Sequence, residues 1–159
     1  MTHTSGLPPY APVSELQEKY GSPNPKGLME YISTCKREFK PQTKFQYSCL
    51  NYITLQHIIE TITGQSLRDF AKENIFDILG MQYTDYLPTI QQQDGKWINT
   101  VACPWMDRIA PTEKQKDGSV LCGQVHDPLA RILNGGISGN AGIFSNANDI
   151  GTVSYTHLT

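Results

Sequence analysis

The sequence predicts an α+β chain that is mostly helical, with loops and short strands making up the rest. Three observations predict it. Two neighbouring segments, Leu50 to Thr63 and Leu67 to Leu79, carry apolar residues at helical spacing and are each closed by a glycine. Residues 82 to 125 contain Pro88, Pro104 and Pro111 together with two hairpin-type pairs, Asp94-Gly95 and Asp117-Gly118, which suit short strands joined by tight turns. Residues 134 to 142 read Asn-Gly-Gly-Ile-Ser-Gly-Asn-Ala-Gly, a run suited to a loop of tight turns or to a concavity of backbone amides.

Taken in order, residues 1 to 27 are loop-like, punctuated by five prolines and three glycines, with one short helical turn expected around Val13 to Tyr20. Leu28, Met29, Ile32 and Phe39 predict a helix from Gly27 to about Glu38, stopped before Pro41. The Leu50 to Thr63 helix has apolar residues on more than one face, so it is expected to be buried on most sides, the main core element, and to end at Gly64. Ser66 with Asp69 three positions on is a near capping box for the next helix, which runs to Gly80. After Asp127-Pro128 a short helix through Ile132 leads into the glycine-rich loop, and Ser145 to Asp149 reads as a new helix start. Beyond Ile150 the pattern turns threonine-rich and strand-like.

Composition narrows the function classes. With Lys+Arg 13 against Asp+Glu 15 and basic residues scattered along 159 positions, the chain does not carry the footprint of a nucleic-acid binder. Tyr52 to Ile62, the most apolar stretch, is interrupted by Gln56, His57 and Glu60 and falls short of the roughly 20 apolar residues of a membrane span. Cys35, Cys49, Cys103 and Cys122 include no C-x-x-C pair, which favours free thiols over a zinc ribbon or a redox motif. G-x-S-x-G fails at Asn140 in Gly136-Ile-Ser138-Gly-Asn140, and H-E-x-x-H, Walker A and G-x-G-x-x-G are absent. The pair His126-Asp127 reads as a helix entry with Asp127 near the N-cap, the alternative being an acid-base or metal pair.

The informative stretch is Phe45-Gln-Tyr47-Ser48-Cys49-Leu50-Asn51-Tyr52, followed by the paired helices and Ile75-Phe-Asp-Ile-Leu-Gly-Met81. It resembles the serine beta-lactamase and penicillin-binding-protein family, in which a Tyr-Ser-Asn or Tyr-Ala-Asn motif opens a buried helix. Thr2-His-Thr-Ser-Gly-Leu-Pro8, Thr63-Gly-Gln-Ser-Leu67 and Gly139-Asn-Ala-Gly-Ile-Phe-Ser145 resemble further parts of that family in the same order. Arg108-Ile-Ala-Pro-Thr-Glu113 and Val125-His-Asp127 are similar to an esterase-like branch of it. The resemblance covers residues 1 to 150, read as a partial domain and chiefly its helical subdomain; residues 151 to 159 are read as a non-native tail.

What the resemblance implies is an acyl-serine hydrolase of ester, amide or beta-lactam bonds, working without metal or cofactor on a small-molecule or peptidoglycan-like substrate in the periplasm or outside the cell. It assigns Tyr47 as the catalytic tyrosine that helps deprotonate the serine, and places Cys49, Asn140 and Ala141 beside the substrate. Cys49 departs from the motif, whose third residue is an amide or carboxylate, and a thiol hydrogen-bonds poorly. The site is then one of altered chemistry, a degenerate one, or a buried cysteine and nothing more. Ser33-Thr34-Cys35-Lys36 is the only Ser-x-x-Lys in the chain. It lies after the His-Thr-Ser-Gly-Leu loop rather than well before it, so Ser33 is read as a helix-surface residue and the nucleophile is expected upstream of Met1. The isolated chain is accordingly expected to be inactive. Two rival readings stay open: a non-catalytic binding module that keeps the fold, and an unrelated helical domain.

Overall fold

A computed structural model describes residues 2–156. The expected opening helix is there as α1, Val13–Tyr20. Helix α2, Pro25–Thr34, starts earlier and stops earlier than its apolar spacing predicts. Asn24 sets the start, because its side chain accepts the Gly27 amide at 2.8 Å and Pro25 occupies the first turn, where its missing N–H costs nothing. The end comes at Cys35, whose backbone is extended, after which the Glu38 amide bonds to the Gly6 carbonyl at 2.8 Å. Residues 36 to 39 therefore run beside the first loop, and Phe39 is not on the helix.

Helix α3, Cys49–Thr63, closes on Gly64 in the left-handed conformation, as expected. It is not buried on most sides. Cys49, Leu50 and Ile53 enter the core, but Leu55, Ile58 and Ile62 are exposed, Ile62 at 79%. The position that a hydropathy reading treats as an interruption, Gln56, is the buried one. Its Oε1 accepts from Asn134 Nδ2 at 2.8 Å and from the Gly139 amide at 2.9 Å, and its Nε2 donates to the Ile137 carbonyl at 3.1 Å. A buried amide is tolerated because its bonds are made.

Ser66 and Asp69 form the capping interaction, the Asp69 amide donating to Ser66 Oγ at 3.1 Å. Helix α4 spans only Leu67–Ala71, and Lys72–Phe76 widens into a π-helical turn instead of continuing as α-helix. Arg68 holds α4 against the first strand through two bonds to Asp85, 2.8 and 2.6 Å. Three antiparallel pairs follow: β1 (Asp85–Tyr86) with β6 (Ile143–Phe144), β2 (Thr89–Gln91) with β3 (Trp97–Asn99), and β4 (Glu113–Lys114) with β5 (Val120–Leu121). The last two are the hairpins that Asp94-Gly95 and Asp117-Gly118 predict. A π-helical turn, Leu129–Leu133, precedes the glycine-rich loop.

That loop packs on α3 so closely that a Cβ at Gly139 would lie 2.1 Å from the Tyr52 carbonyl oxygen. Helix α5, Ala147–Thr156, overturns the strand-like reading after Ile150. Its Thr and Ser hydroxyls bond back to carbonyls one turn earlier, as Thr152 does to Asn148, and Val153 packs on the second core. Residues 157 to 159 of the tail lie outside the described residues. Two apolar clusters hold the chain together. One centres on Leu28, Leu50, Ile53 and Leu129, the other on Leu67, Phe76, Met81 and Tyr86.

Candidate active site

The segment entering α3 is tied to the first loop along its length. Gln46 donates its amide to the His3 carbonyl at 2.9 Å, and Cys49 donates to the Pro9 carbonyl at 3.0 Å. Ser48 is fully buried, with its hydroxyl bonded to the Pro8 carbonyl at 2.6 Å. His3 Nδ1 receives both the Ser48 amide, 3.2 Å, and Asn51 Nδ2, 3.1 Å. An amide N–H can only donate, so Nδ1 is the acceptor and the neutral ring carries its proton on Nε2.

Tyr47 points outward. It is 55% exposed while its two successors are buried, and one face of its ring lies against His3 with centroids 4.7 Å apart. The Cys49 thiol approaches the Tyr47 hydroxyl at 3.7 Å, so these two expected site residues do meet. The Tyr47 phenol is pushed above its ordinary value, first by the hydrogen bond with Cys49, then by charge on Cys49, then by burial and by Asp127 and Tyr52. Every one of these causes favours the protonated phenol. A resting tyrosinate would need cations that the residues acting on Tyr47 here do not supply.

Asp127, whose charge also acts on Tyr47, has partners of its own: Tyr10 donates to Asp127 Oδ2 at 3.1 Å and accepts the Leu129 amide at 3.3 Å. Burial is the main cause raising its phenol to about 12. Asp127 also accepts the Ala130 amide at 2.9 Å, the helix-entry role its sequence position predicts. The same residue lines a cleft of about 570 Å³ whose walls include Tyr83, Trp105, Arg108, Val125, Ala141 and Phe144. Ala141 is thus on the cleft, whereas Tyr47 and Cys49 are not among its lining residues. Asn140 is engaged within its own loop, its Oδ1 accepting from Ser138 Oγ at 2.6 Å.

Ser33 sits on α2 with its hydroxyl bonded to the Glu30 carbonyl at 2.8 Å, a surface role. His57 faces a separate cavity beside Lys26 and Glu60. All four cysteines are free. Sequence reasoning missed His3 and Asn51 as the frame for Tyr47. The phrase Thr2 to Pro8 held the signal, but nothing local shows what a histidine there will bond.

The beta-lactamase family model matches residues 1–158. The chain belongs to the beta-lactamase family. Within the family, it is 32% identical over 170 aligned positions to an Escherichia coli K12 protein named "Putative D-alanyl-D-alanine carboxypeptidase", covering 98% of this chain and 37% of that protein. A Salmonella agona protein of the same name is 31% identical, with 93% and 35% covered. The chain therefore spans little more than a third of these curated relatives. Among solved structures it is similar to a beta-lactamase/D-alanine carboxypeptidase from Pseudomonas syringae, with TM-score 0.67, 18% identity, and 99% of this chain and 36% of that one covered. A D-amino acid amidase from Ochrobactrum anthropi SV3 gives TM-score 0.64, 18% identity, and 99% and 40%. The chain has part of the beta-lactamase/DD-peptidase fold, an α+β architecture represented here by helices, loops and short strands. No helix among the described residues is long and apolar enough to cross a membrane.

Proposed function

We propose that this chain supplies the tyrosine side of an acyl-serine hydrolase site that opens ester, amide or beta-lactam bonds, the serine and lysine of Ser-x-x-Lys coming from outside these 159 residues. The observation that carries this reading is the outward face of Tyr47. A tyrosine serving only to pack would bury its ring; this one is exposed at the head of α3 while the backbone beneath it is clamped by His3, Pro8 and Pro9. The phenol is held protonated until a cation is brought beside it. A Ser-x-x-Lys ammonium would oppose the influences that raise it, letting Tyr47 take the serine proton and later return it to the leaving group. Cys49 stands where the family motif has an amide or carboxylate, and its thiol is spent on Tyr47. Substrates with a peptidoglycan-like D-alanyl terminus suit this reading, since the similar curated proteins carry the name "Putative D-alanyl-D-alanine carboxypeptidase". Such a substrate places the enzyme in the periplasm or at the cell surface.

The test is Tyr47→Phe in a longer protein that joins this chain to a Ser-x-x-Lys helix. Acylation should slow on the order of 10²-fold or more, the usual scale of acid-base assistance, with little change in melting temperature because the ring packing against His3 is kept and only the weak contact with the Cys49 thiol is lost. Cys49→Asn in the same protein should raise the rate. Acylation unaffected by Tyr47→Phe would instead favour the binding-module reading, for which Cys49 is the supporting residue.

A further inference from the structure

The two esterase-like phrases, Arg108 to Glu113 and Val125 to Asp127, are joined through the β4–β5 hairpin and both border the same cleft. Thr112 Oγ1 donates to the Gln124 carbonyl at 3.3 Å, and Glu113 Oε2 lies 3.4 Å from His126 Nδ1. Arg131, largely buried, donates to the Val125 and His126 carbonyls at 2.6 and 2.9 Å and so braces that wall from behind. The cleft these phrases bound is mostly apolar, with Trp105, Val125 and Phe144 on its surface.

Arg108 is the exception. Its guanidinium carbon lies 4.9 Å from the ring centroid of Tyr83, another wall residue, and has no ion-pair or hydrogen-bond partner among the described residues. A guanidinium laid on an aromatic face keeps its edge free and its orientation set, the state in which it takes a carboxylate through two parallel bonds. Asp127 stands on the same cleft with its own carboxylate already bonded to Tyr10 and Ala130, so an anion is repelled there and drawn to the Arg108 end.

We propose that this cleft is a binding site for a carboxylate carried on an apolar body, with Arg108 holding the carboxylate and Trp105, Val125 and Phe144 covering the body. It deepens the function proposed above by naming the chemistry of the substrate part that enters the cleft, and rests on that reading only in calling the ligand a substrate. Binding is read without turnover, so either idea can fail alone.

The probe is 4-phenylbutyrate, compared with uncharged 4-phenylbutanamide, titrated into the full 159-residue chain while the Trp105 indole and Arg108 Nε–H signals are followed by NMR. The Trp105 signal, distinguished from Trp97 with Trp97→Phe, should shift saturably, and the carboxylate should bind about ten-fold or more tightly than the amide. Arg108→Met should abolish that preference and Arg108→Lys should keep part of it. Arg108 is exposed, and the same spectra confirm that each variant is folded. No saturable shift, equal binding of the two probes, or a preference that survives Arg108→Met would each overturn the proposal.

Discussion

His3 and Tyr47 face each other with ring centroids 4.7 Å apart, and the same imidazole takes the Ser48 amide and the Asn51 side chain on one nitrogen. One residue of the first loop therefore sets both the backbone entering α3 and the direction of the exposed phenol. His3→Ala leaves the Ser48 amide and the buried Asn51 without an acceptor, a loss of about 1–3 kcal/mol measured by urea unfolding. His3 also has a positive φ of 53°, which asparagine tolerates better than alanine. His3→Asn, which offers a carbonyl oxygen as acceptor, should cost less than His3→Ala, and both should loosen the Tyr47 ring as seen by NMR relaxation. Equal stability of the two variants would count against the acceptor role.

Tyr86 is buried in the second core, and burial lifts its phenol from 10.0 to about 12, with the charge of Glu60 adding to it. The folded state thus holds this proton more tightly than the unfolded chain. The contribution is complete below pH 10 and is lost as pH rises from about 10 to 12, where the unfolded chain has shed the proton and the folded one has not. Two units correspond to about 2–3 kcal/mol. Melting points recorded across that window should fall, and Tyr86→Phe should flatten the fall. A variant with the same alkaline slope as the parent would show that other groups govern it.

Gly139→Ala would set a methyl 2.1 Å from the Tyr52 carbonyl oxygen, and because that atom belongs to the α3 backbone it has little room to yield. A loss of about 1–3 kcal/mol or more is expected. Gly151, within α5 and with open space where a Cβ would go, makes the contrast: Gly151→Ala should gain roughly 0.5–1 kcal/mol from helix propensity. Denaturation midpoints of the two variants on opposite sides of the parent are the result to look for.

The exposed face of α3, Leu55, Ile58 and Ile62, recurs at helical spacing and presents an apolar stripe to water. The 159-residue chain should self-associate through it and bind a dye that reports apolar surface. Ile58→Lys with Ile62→Lys should shift sedimentation toward monomer with little change in unfolding free energy. Monomeric behaviour of the unchanged chain would contradict this.

Local signals were enough to read much of the frame. Val13 to Tyr20, the Ser66–Asp69 cap, the Gly64 stop, the two Asp-Gly hairpins and Asp127 as a helix entry all depend on residues within a few positions of each other, and such interactions are written in order along the chain. Membership of the beta-lactamase family was legible for a related reason: Phe45 to Tyr52 and the glycine-rich loop are contiguous phrases. Only the folded chain decided the rest. Burial went to Gln56 rather than Ile58 or Ile62 because the amide meets Asn134 and Gly139, both remote in sequence. Helix α2 stopped at Thr34 because the following residues find partners in the first loop, and α5 continued past Ile150 because Val153 has a core to join. The pairing of His3 with Asn51, and of Arg108 with Tyr83 on the cleft, likewise arises from distant segments brought together. A side chain's hydrogen-bonding capacity is a property of its residue type, but its partner is a property of the packed whole.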